Sequence, residues 1–458
     1  MMSWRLTEIL RHATGQLAGE DRAFSSVSTD TRTLKPGALF VALTGPNFDG
    51  HNFVAQAAER GAAAALVDRP VAVALPQAVV GDSLAALSAF ARQWRRQFHI
   101  PLIGVTGSNG KTTTKELLSA ILSRIAPTLV TRGNLNNHIG VPLTLLELTA
   151  AHRYAIVEMG ANHRGEIAHL AGIAEPTIGL VTNAGAAHLE GFGGLEGVAL
   201  GKSEMFRHLP REGVAVVNAD DAYASMWRDC RSAERCLTFG IEQRADFMAR
   251  NIQSGDVAGA FRIDFELVTP DGARTARLGL GGMHNLRNAL GAAAAAYAAG
   301  ARLDDLVAGL AAMRAVAGRL DLKAAVNGAF LVDDSYNANP SSLKAGLDVL
   351  RSFSGTRWLV LGDMLELGDR ENELHAEIGR YAKDSGIARL LAVGARSRFA
   401  VEAFGRGAQW FADMESLIAE ARSSLAPGTA VLVKGSHSSR LDRVATALAA
   451  VPKAANGH

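Results

Sequence analysis

The stretch that decides the fold runs from residue 104 to residue 113 and reads Gly104-Val105-Thr106-Gly107-Ser108-Asn109-Gly110-Lys111-Thr112-Thr113. An apolar run from Ile100 to Val105 enters it, and the residues after it predict a helix with one apolar face, made of Leu117, Leu118, Ile121, Leu122 and Ile125. A strand, a glycine loop and a helix can bind a triphosphate, because the glycines let backbone N–H groups turn inward and the helix adds the positive end of its dipole.

Within this loop the predicted nucleotide contacts are Gly107, Ser108, Asn109, Gly110, Lys111, Thr112 and Thr113. Lys111 would reach the outer phosphates, and the Thr112 hydroxyl would face a magnesium ion. A strict phosphate-loop pattern has its first glycine where this chain has Val105. An ordinary glycine-rich turn is therefore the alternative, but the flanking strand and helix favour a nucleotide site.

Length and composition indicate a globular protein of several domains. At about 150 residues per domain, 458 residues suggest three domains. Hydrophobic residues make up 48% and charged residues 20% of the chain, with a net charge of +2. Lys and Arg form no blocks of like charge, so the sequence predicts no nucleic-acid partner.

Cellular location follows from cysteine usage and from the apolar tracts. Cys230 and Cys236 fit no zinc or redox spacing and are too few for a disulfide framework, so we expect a cytoplasmic protein. The N-terminus lacks the apolar core of a signal peptide, and the longest apolar tract, Ala289 to Ala299, is too short to span a bilayer. We therefore expect no membrane insertion.

The predicted fold class is α/β with three domains. Residues 1–83 form a small αβ domain, with strands over residues 39–43, 64–67 and 78–80 and a helix between residues 52 and 60. Its polar loops, over residues 28–32 and 45–51, could hold a sugar nucleotide, although two solvated turns would look the same.

Residues 84–315 form the central domain, and a helix capped by Asp82 leads into its phosphate loop. Apolar runs over residues 155–157, 178–181 and 214–217 predict a mostly parallel sheet, and an alternating pattern from Phe261 to Leu280 predicts a hairpin at its edge. Residues 316–458 repeat the strand–helix rhythm without a glycine loop, which resembles a doubly wound, Rossmann-like layout. The strands of this third domain are predicted over residues 330–332, 358–361, 390–393 and 430–433.

Three further side chains follow central strands. Glu158 ends the strand at 155–157, which places a carboxylate at the carboxyl edge of the sheet, where it can hold magnesium directly or through water. A strand-end acid facing solvent is the alternative. By pattern alone His188 is a hydrogen-bonded loop histidine and Lys202 a surface lysine.

The whole series of motifs, taken in order, resembles the Mur ligases of peptidoglycan synthesis. The resemblance covers nearly the whole chain, and that family's loop also has a non-glycine residue where Val105 stands. The residues that carry the resemblance are the glycine loop, residues 134–140, residues 158–160, the segment around His188, Lys202, and residues 282–289, 333–340 and 434–436. Residues 334–340 and 361–368 resemble the branch that adds D-alanyl-D-alanine to UDP-N-acetylmuramoyl-tripeptide.

The resemblance implies an ATP-dependent amide ligase with Lys111, Glu158, His188 and Lys202 as catalytic residues. It makes Thr112 and Glu158 magnesium ligands, His188 a ligand of a second magnesium ion, and Lys202 a carbamylated lysine that helps to bind metal. The remaining implied contacts are to adenine (Asn285, Asn288), to ATP from the hinge and third domain (Arg319, Asp334), to the UDP end (Thr31, Arg32, Asn47) and to the rest of the substrate (Asn136, Asn137).

The implied substrates are the UDP-muramoyl tripeptide, ATP and the dipeptide, which we expect to enter between the second and third domains of a monomer. A nucleotide switch or ATPase module is an alternative, although the chain offers no switch-like region. Nearer rivals are the ligase that adds the third peptide residue and folylpolyglutamate synthase. The former usually carries an Asp-Asn-Pro-Arg motif, and no such string occurs in this chain.

Overall fold

The computed structural model describes residues 3–257 and 260–450. Three sheets, of five, nine and six strands, follow one another along the chain, and two short two-stranded pairs accompany the first. Each large sheet is mixed, with parallel strands outnumbering antiparallel ones, so the predicted α/β class is confirmed. Across the described ranges, no helix has the length and apolar character needed to cross a bilayer.

The first sheet is small, and its strand order is Gly15–Ala18, Gln77–Val80, Ala64–Val67, Ala38–Val41 and Ser26–Ser28. Its helices are Leu6–Leu10 and Val54–Glu59, with a short 3-10 turn at Gly50–Phe53. The two-stranded pairs join Trp4–Arg5 to Ala23–Phe24 and Thr44–Gly45 to Phe48–Asp49. The three predicted strands and the predicted helix are present, and their ends differ from the prediction by two residues at most.

A single helix, Ser83–Arg95, ties this domain to the next one. Its predicted cap is confirmed, because the Asp82 carboxylate accepts hydrogen bonds from the backbone N–H groups of Leu84 at 2.8 Å and Ala85 at 2.9 Å. Trp4 packs edge-on against two rings of this helix, with centroid distances of 5.8 Å to Phe90 and 5.0 Å to Trp94. The first two domains therefore share one apolar core.

The central sheet has nine strands, and the strand that enters the glycine loop lies inside it. The order is Thr128–Val130, Tyr154–Glu158, Leu102–Thr106, Ile178–Val181, Val214–Asn218, Arg235–Gly240, Phe247–Val257, Ala260–Thr269 and Gly272–Leu278. All neighbours are parallel up to Phe247–Val257, and the last two strands form the predicted antiparallel hairpin at the edge. The helices of this domain are Lys111–Leu122, Gly140–Leu145, Glu166–Ala174, Leu189–Phe192, Leu195–Arg207, Ala224–Asp229, Met283–Ala298 and Leu303–Ala312.

One detail of the predicted helix after the loop is wrong. Leu117, Leu118, Ile121 and Leu122 are buried as expected, but Ile125 is 39% exposed. The helix ends at Leu122 and the chain turns, so the helical spacing that placed Ile125 on the apolar face no longer applies there.

The third sheet is doubly wound, as predicted, with one apolar cluster on each face. Its order is Asp321–Ala324, Phe330–Asp333, Ala430–Lys434, Arg357–Leu361, Arg389–Val393 and Ala408–Phe411, and only the first strand is antiparallel to its neighbour. Its helices are Pro340–Leu350, Glu371–Asp384, Ser397–Phe404, Met414–Ser424 and Asp442–Leu448, with 3-10 turns at Val326–Gly328, Gly368–Arg370 and His437–Ser439. The outer strands at Asp321 and Ala408 were not predicted.

Removing the cap at Asp82 should weaken the helix that joins the first two domains. Asp82→Ala leaves two N–H groups without their acceptor and should cost about 1 kcal/mol, which corresponds to about 2 °C in the thermal midpoint of a unit this large. Asp82→Asn, which keeps an acceptor oxygen, should change the midpoint by less than half as much. Tryptophan fluorescence during heating measures both, and equal midpoints for the two variants would contradict the capping role.

Candidate active site

At two points where the glycine loop turns, Gly107 and Gly110, no residue larger than glycine fits. Gly107 has φ +144 and Gly110 has φ +82, both in the region that side chains disfavour. A Cβ on Gly107 would lie 1.9 Å from Thr182 Oγ1, and a Cβ on Gly110 would lie 2.3 Å from Asn288 Oδ1. The backbone at both points is thus pressed against neighbouring strands and helices.

The segment that follows the strand Ile178–Val181 forms hydrogen bonds with the loop. Ser108 N donates to the Asn183 carbonyl at 3.0 Å, and Asn109 N donates to the Asn183 side-chain oxygen at 3.1 Å. Gly185 N donates to Ser108 Oγ at 2.9 Å. These contacts fix the loop before any nucleotide arrives, which reduces the entropy lost on binding.

Lys111 begins the helix that follows the loop and folds back over it. Its ammonium donates to the carbonyls of Gly107 at 2.6 Å and Ser108 at 3.3 Å. Burial lowers the pKa of Lys111, the Glu158 carboxylate opposes this shift, and Arg319 adds to it. A cation therefore stands at the mouth of the loop, where the outer phosphates of a nucleotide would lie.

Glu158 ends the neighbouring strand and is buried, as the sequence pattern predicted for the sheet edge. One of its oxygens, Oε1, accepts a 2.7 Å hydrogen bond from Asn136 Nδ2. The other, Oε2, has no hydrogen-bond partner among the residues the structure describes. A buried carboxylate oxygen without a hydrogen-bond donor is suited to bind a cation, and oxygen ligands are those that magnesium prefers, so Glu158 fits a magnesium site.

Lys115 supports this carboxylate, and the sequence analysis missed it. The side chain is 1% exposed, and its ammonium donates to the Thr131 carbonyl at 2.9 Å. It lies 3.8 Å from Glu158 Oε2. Its place one turn after Lys111 and three residues before Leu118, on the buried side of the helix, is the sequence signal that would have revealed it.

His188 comes from the loop after the strand Ile178–Val181 and has an unusual backbone, with φ +53. Its Nδ1 pairs with a carboxylate oxygen of Glu366 from the third domain. Burial lowers the pKa of His188, and the positive charges of Lys111 and Lys202 lower it further, while Glu366 raises it. The neutral imidazole that these cations favour is the form that can bind a metal.

Lys202 is 1% exposed, so the interpretation as a surface lysine is wrong. Its helix, Leu195–Arg207, packs against the sheet and turns this side chain inward, 5.0 Å from the centroid of the Phe192 ring. Burial, with a smaller contribution from Lys111, lowers the pKa of Lys202 to about 7. At neutral pH much of this amine is uncharged.

The two asparagines expected at adenine lie beside the loop on the helix Met283–Ala298. Asn288 packs against Gly110, and its Nδ2 lies 3.3 Å from Asn285 Oδ1. Asn285 in turn donates to the Gly281 carbonyl at 2.8 Å. Both side chains are buried, which leaves amide groups at the edge of the nucleotide loop.

The third domain reaches the same loop through its hinge and its first helix. Arg319 Nη2 donates to Thr112 Oγ1 at 3.0 Å and stacks its guanidinium 4.2 Å from the Tyr336 ring centroid. Asn339 Nδ2 donates to Asn109 Oδ1 at 2.7 Å. Asp334 accepts from Lys434 at 2.6 Å, and burial raises its pKa against the effect of that lysine. Arg319 contacts the loop directly, while Asp334 lies behind it.

The residues expected to bind the rest of the substrate fall into two places. Asn136 donates to Glu158, whereas the side chain of Asn137 accepts from the backbone N–H groups of Ile139 and Gly140, where the helix Gly140–Leu145 begins. Thr31 donates to Gln56 at 2.6 Å in the first domain. Arg32 pairs with Asp30, and Asn47 is exposed between two short strands. The structure thus does not bring the first-domain residues to the glycine loop.

The geometry brings the glycine loop of the central domain together with side chains of the third domain, and comparison with known proteins identifies the class of this protein. Three protein-family models match: "Mur ligase family, catalytic domain" over residues 23–100, "Mur ligase middle domain" over residues 105–296 and "Mur ligase, glutamate ligase domain" over residues 318–437. The chain belongs to the Mur ligase family, and it is a ligase. The predicted family is confirmed.

Within that family, similar relatives carry one name, UDP-N-acetylmuramoyl-tripeptide–D-alanyl-D-alanine ligase. The Escherichia coli protein is 44% identical over 98% of this chain and 99% of its own length. The Synechocystis protein is 40% identical over 94% of this chain and 93% of its own length.

Solved structures agree with the sequence comparison. A crystal structure of MurF from Acinetobacter baumannii matches with a TM-score of 0.90 and 35% identity, over 97% of this chain and 98% of that one. The MurF ligase from Thermotoga maritima, solved in complex with ADP, matches with a TM-score of 0.82 and 28% identity, over 92% of this chain and 96% of that one.

Adding a methyl group at Gly110 should abolish tight nucleotide binding. Gly110→Ala meets both an unfavourable φ and the Asn288 side chain, so the loop must move, and we expect at least a tenfold weaker affinity for ATP. Gly300→Ala is the matched control, since Gly300 has φ +100 but nothing within 4 Å of the added carbon. Titration with a fluorescent ATP analogue measures both, and unchanged affinity in Gly110→Ala would contradict the assignment of the loop.

Proposed function

We propose that this chain joins D-alanyl-D-alanine to UDP-N-acetylmuramoyl-tripeptide in the cytoplasm and converts ATP to ADP and phosphate. The full-length similarity to relatives of that name supports the choice of substrates. The observation that supports the chemistry is that Lys111 interacts electrostatically with both the Glu158 carboxylate and the buried Lys202.

A carboxylate and an amine do not condense in water, because the carboxylate is a poor electrophile and oxide a poor leaving group. In the first step the terminal carboxylate of the tripeptide attacks the γ-phosphorus of ATP, a new O–P bond forms, and the bond to ADP breaks. Lys111 neutralises charge that develops on the transferring phosphoryl group. The product is an acyl phosphate.

In the second step the amine of the dipeptide attacks the acyl carbon. The N–C bond forms, the C–O bond to phosphate breaks, and the amine proton passes to solvent. Acyl phosphates hydrolyse, so the site has to exclude water. The third domain suits this task, because Arg319 and Asn339 already contact the glycine loop from that side.

Two magnesium ions are part of the proposal. When bound, magnesium neutralises phosphate charge and orients the reacting oxygens. Thr112 and Glu158 would hold one ion and His188 the other. Within residues 3–257 and 260–450 no three His, Cys, Asp or Glu side chains cluster as ligands, so phosphates and water would complete each shell.

Lys202 is proposed to react with carbon dioxide. The neutral amine adds to the carbon, an N–C bond forms, one proton leaves, and a carbamate anion results. A pKa of about 7 favours this step, because the uncharged amine is the nucleophile. The anion would then help to bind metal at a place where an ammonium group would repel it.

The UDP end is assigned to the first of three domains, proposed as residues 1–83, 84–315 and 316–458. Thr31, Arg32 and Asn47 would hold it, and the 84% exposed Arg32 side chain offers a cation for a diphosphate. Deleting this domain would expose Phe90 and Trp94, so single substitutions are the better test.

The proposed reaction is tested by ADP release over a matrix of UDP-muramoyl peptides and amino-acid or dipeptide acceptors. Rapid turnover is expected only when UDP-muramoyl tripeptide and D-alanyl-D-alanine are both present, because the first supplies the carboxylate and the second supplies the amine of the new amide bond. Turnover with glutamate on a folate, or with a single amino acid on a dipeptide, would favour the rival ligases. Phosphate release without any acceptor at the full rate would favour an ATPase module.

Carbamylation predicts a rescue experiment. Lys202→Ala should lose activity by about 10³-fold, the scale expected for one preorganised charged group, and short carboxylic acids should restore part of it by filling the vacated space with an anion. Lys202→Arg keeps the positive charge and cannot be carbamylated, so it should stay inactive and gain nothing from the acids. Full activity of Lys202→Arg would show that no carbamate is needed.

A further inference from the structure

A cavity between the second and third domains has no role in the mechanism above. Its volume is about 490 Å³, and its polar lining consists of Glu190, Glu366, Asp369, Glu371, Asn372 and Arg396. Glu190 comes from the central domain, two residues after His188, and the others come from the third domain. The cavity therefore adjoins the predicted reaction centre.

The segment 362–368, which forms one wall, is held in place by three buried side chains. Asp363 accepts from the backbone N–H groups of Arg396 at 3.1 Å and Ser397 at 2.8 Å. His375 Nε2 accepts from Met364 N at 3.0 Å, and Ser436 Oγ accepts from Leu365 N at 2.9 Å. The three residues directly before Glu366 are thus fixed.

Glu366 itself has φ +61, a conformation that is uncommon for residues other than glycine. Such strain persists when the surroundings determine it, as the anchored neighbours do here. Its carboxylate reaches across the domain boundary to His188, yet the side chain is 60% exposed to the cavity. The Glu366 carboxylate can therefore contact both His188 and a ligand bound in the cavity.

The charge of the cavity indicates which substrate group it can bind. Four carboxylates line it against one guanidinium, and that guanidinium is already paired, with Arg396 Nε 2.5 Å from Glu371 Oε2. The groups that must meet at the glycine loop are a triphosphate, a carboxylate and an amine. Of these, only the amine can carry a positive charge, so the cavity favours the amine.

We propose that Glu366 binds the ammonium group of the acceptor dipeptide in this cavity. The assignment rests on the proposed function. It places the amino end of the dipeptide beside His188 and makes Glu366 a substrate-binding residue. Asp363, His375 and Ser436 are positioning residues that set its direction.

The test is Glu366→Gln, which removes the charge but keeps the shape. We expect the KM for D-alanyl-D-alanine to rise about 10- to 100-fold, as for the loss of one charge-assisted hydrogen bond, while the KM for ATP changes less than threefold. Glu373→Gln is the matched control: Glu373 is also 60% exposed, but it lies in the following helix, Glu371–Asp384, and pairs with Arg370 outside the cavity. It should leave the KM for the dipeptide unchanged.

A second readout separates acceptor binding from the chemistry at His188. Hydroxylamine is small and mostly uncharged at neutral pH, and it captures an acyl phosphate as a hydroxamate without using the acceptor subsite. Hydroxamate formation from UDP-muramoyl tripeptide and ATP should be equal in Glu366→Gln and the unmodified protein.

Each outcome decides the matter. If hydroxamate formation falls in parallel with dipeptide use, Glu366 acts on phosphoryl transfer and the assignment is wrong. An unchanged KM for the dipeptide in Glu366→Gln would overturn the assignment while the proposed function stands. If the unmodified protein uses no dipeptide at all, the proposed function fails, and the assignment fails with it.

Discussion

The site depends on the close approach of backbone at Gly107 and Gly110 to the elements around them. Thr182 lies against the first glycine and Asn288 against the second, with no space for a methyl group at either point. This approach is possible only because the strand Leu102–Thr106 runs between two parallel neighbours whose carboxyl ends reach the same edge. The loop, Glu158 and the His188 segment converge for that topological reason.

Much of the fold could be predicted because buried parallel strands are nearly unbroken apolar runs. The strands at Ile178, Val214 and Ala430 were found in this way. The strands Thr128–Val130 and Asp321–Ala324 were missed, since three or four residues at a sheet edge carry little periodic signal. The wrong placement of Ile125 has a related cause: periodicity continues in a sequence after the helix itself has ended.

One part of the site, the glycine loop and Glu158, could be predicted from local sequence pattern, and another part could not. Loop residues and Glu158 follow from local pattern, because a strand end fixes where they lie. Lys202 could not be placed from local pattern alone, since whether a lysine on a helix faces core or solvent depends on what packs against that helix. Glu366 depends on the third domain meeting the second, a contact between residues 178 positions apart that no local pattern contains.

The site brings together three lysines, Lys111, Lys115 and Lys202, and the buried carboxylate of Glu158. Lys111 and Arg319 would supply cations for the triphosphate of the proposed substrate. Lys115 stabilises Glu158, whose Oε2 has no hydrogen-bond donor among the described residues. Lys202, left as an ammonium, would add a further cation and oppose the binding of the proposed magnesium ions. Its low pKa and its burial make conversion to an anion chemically accessible. Under the proposed carbamylation, Lys202 would therefore supply a negative charge in place of a positive one at the proposed metal site.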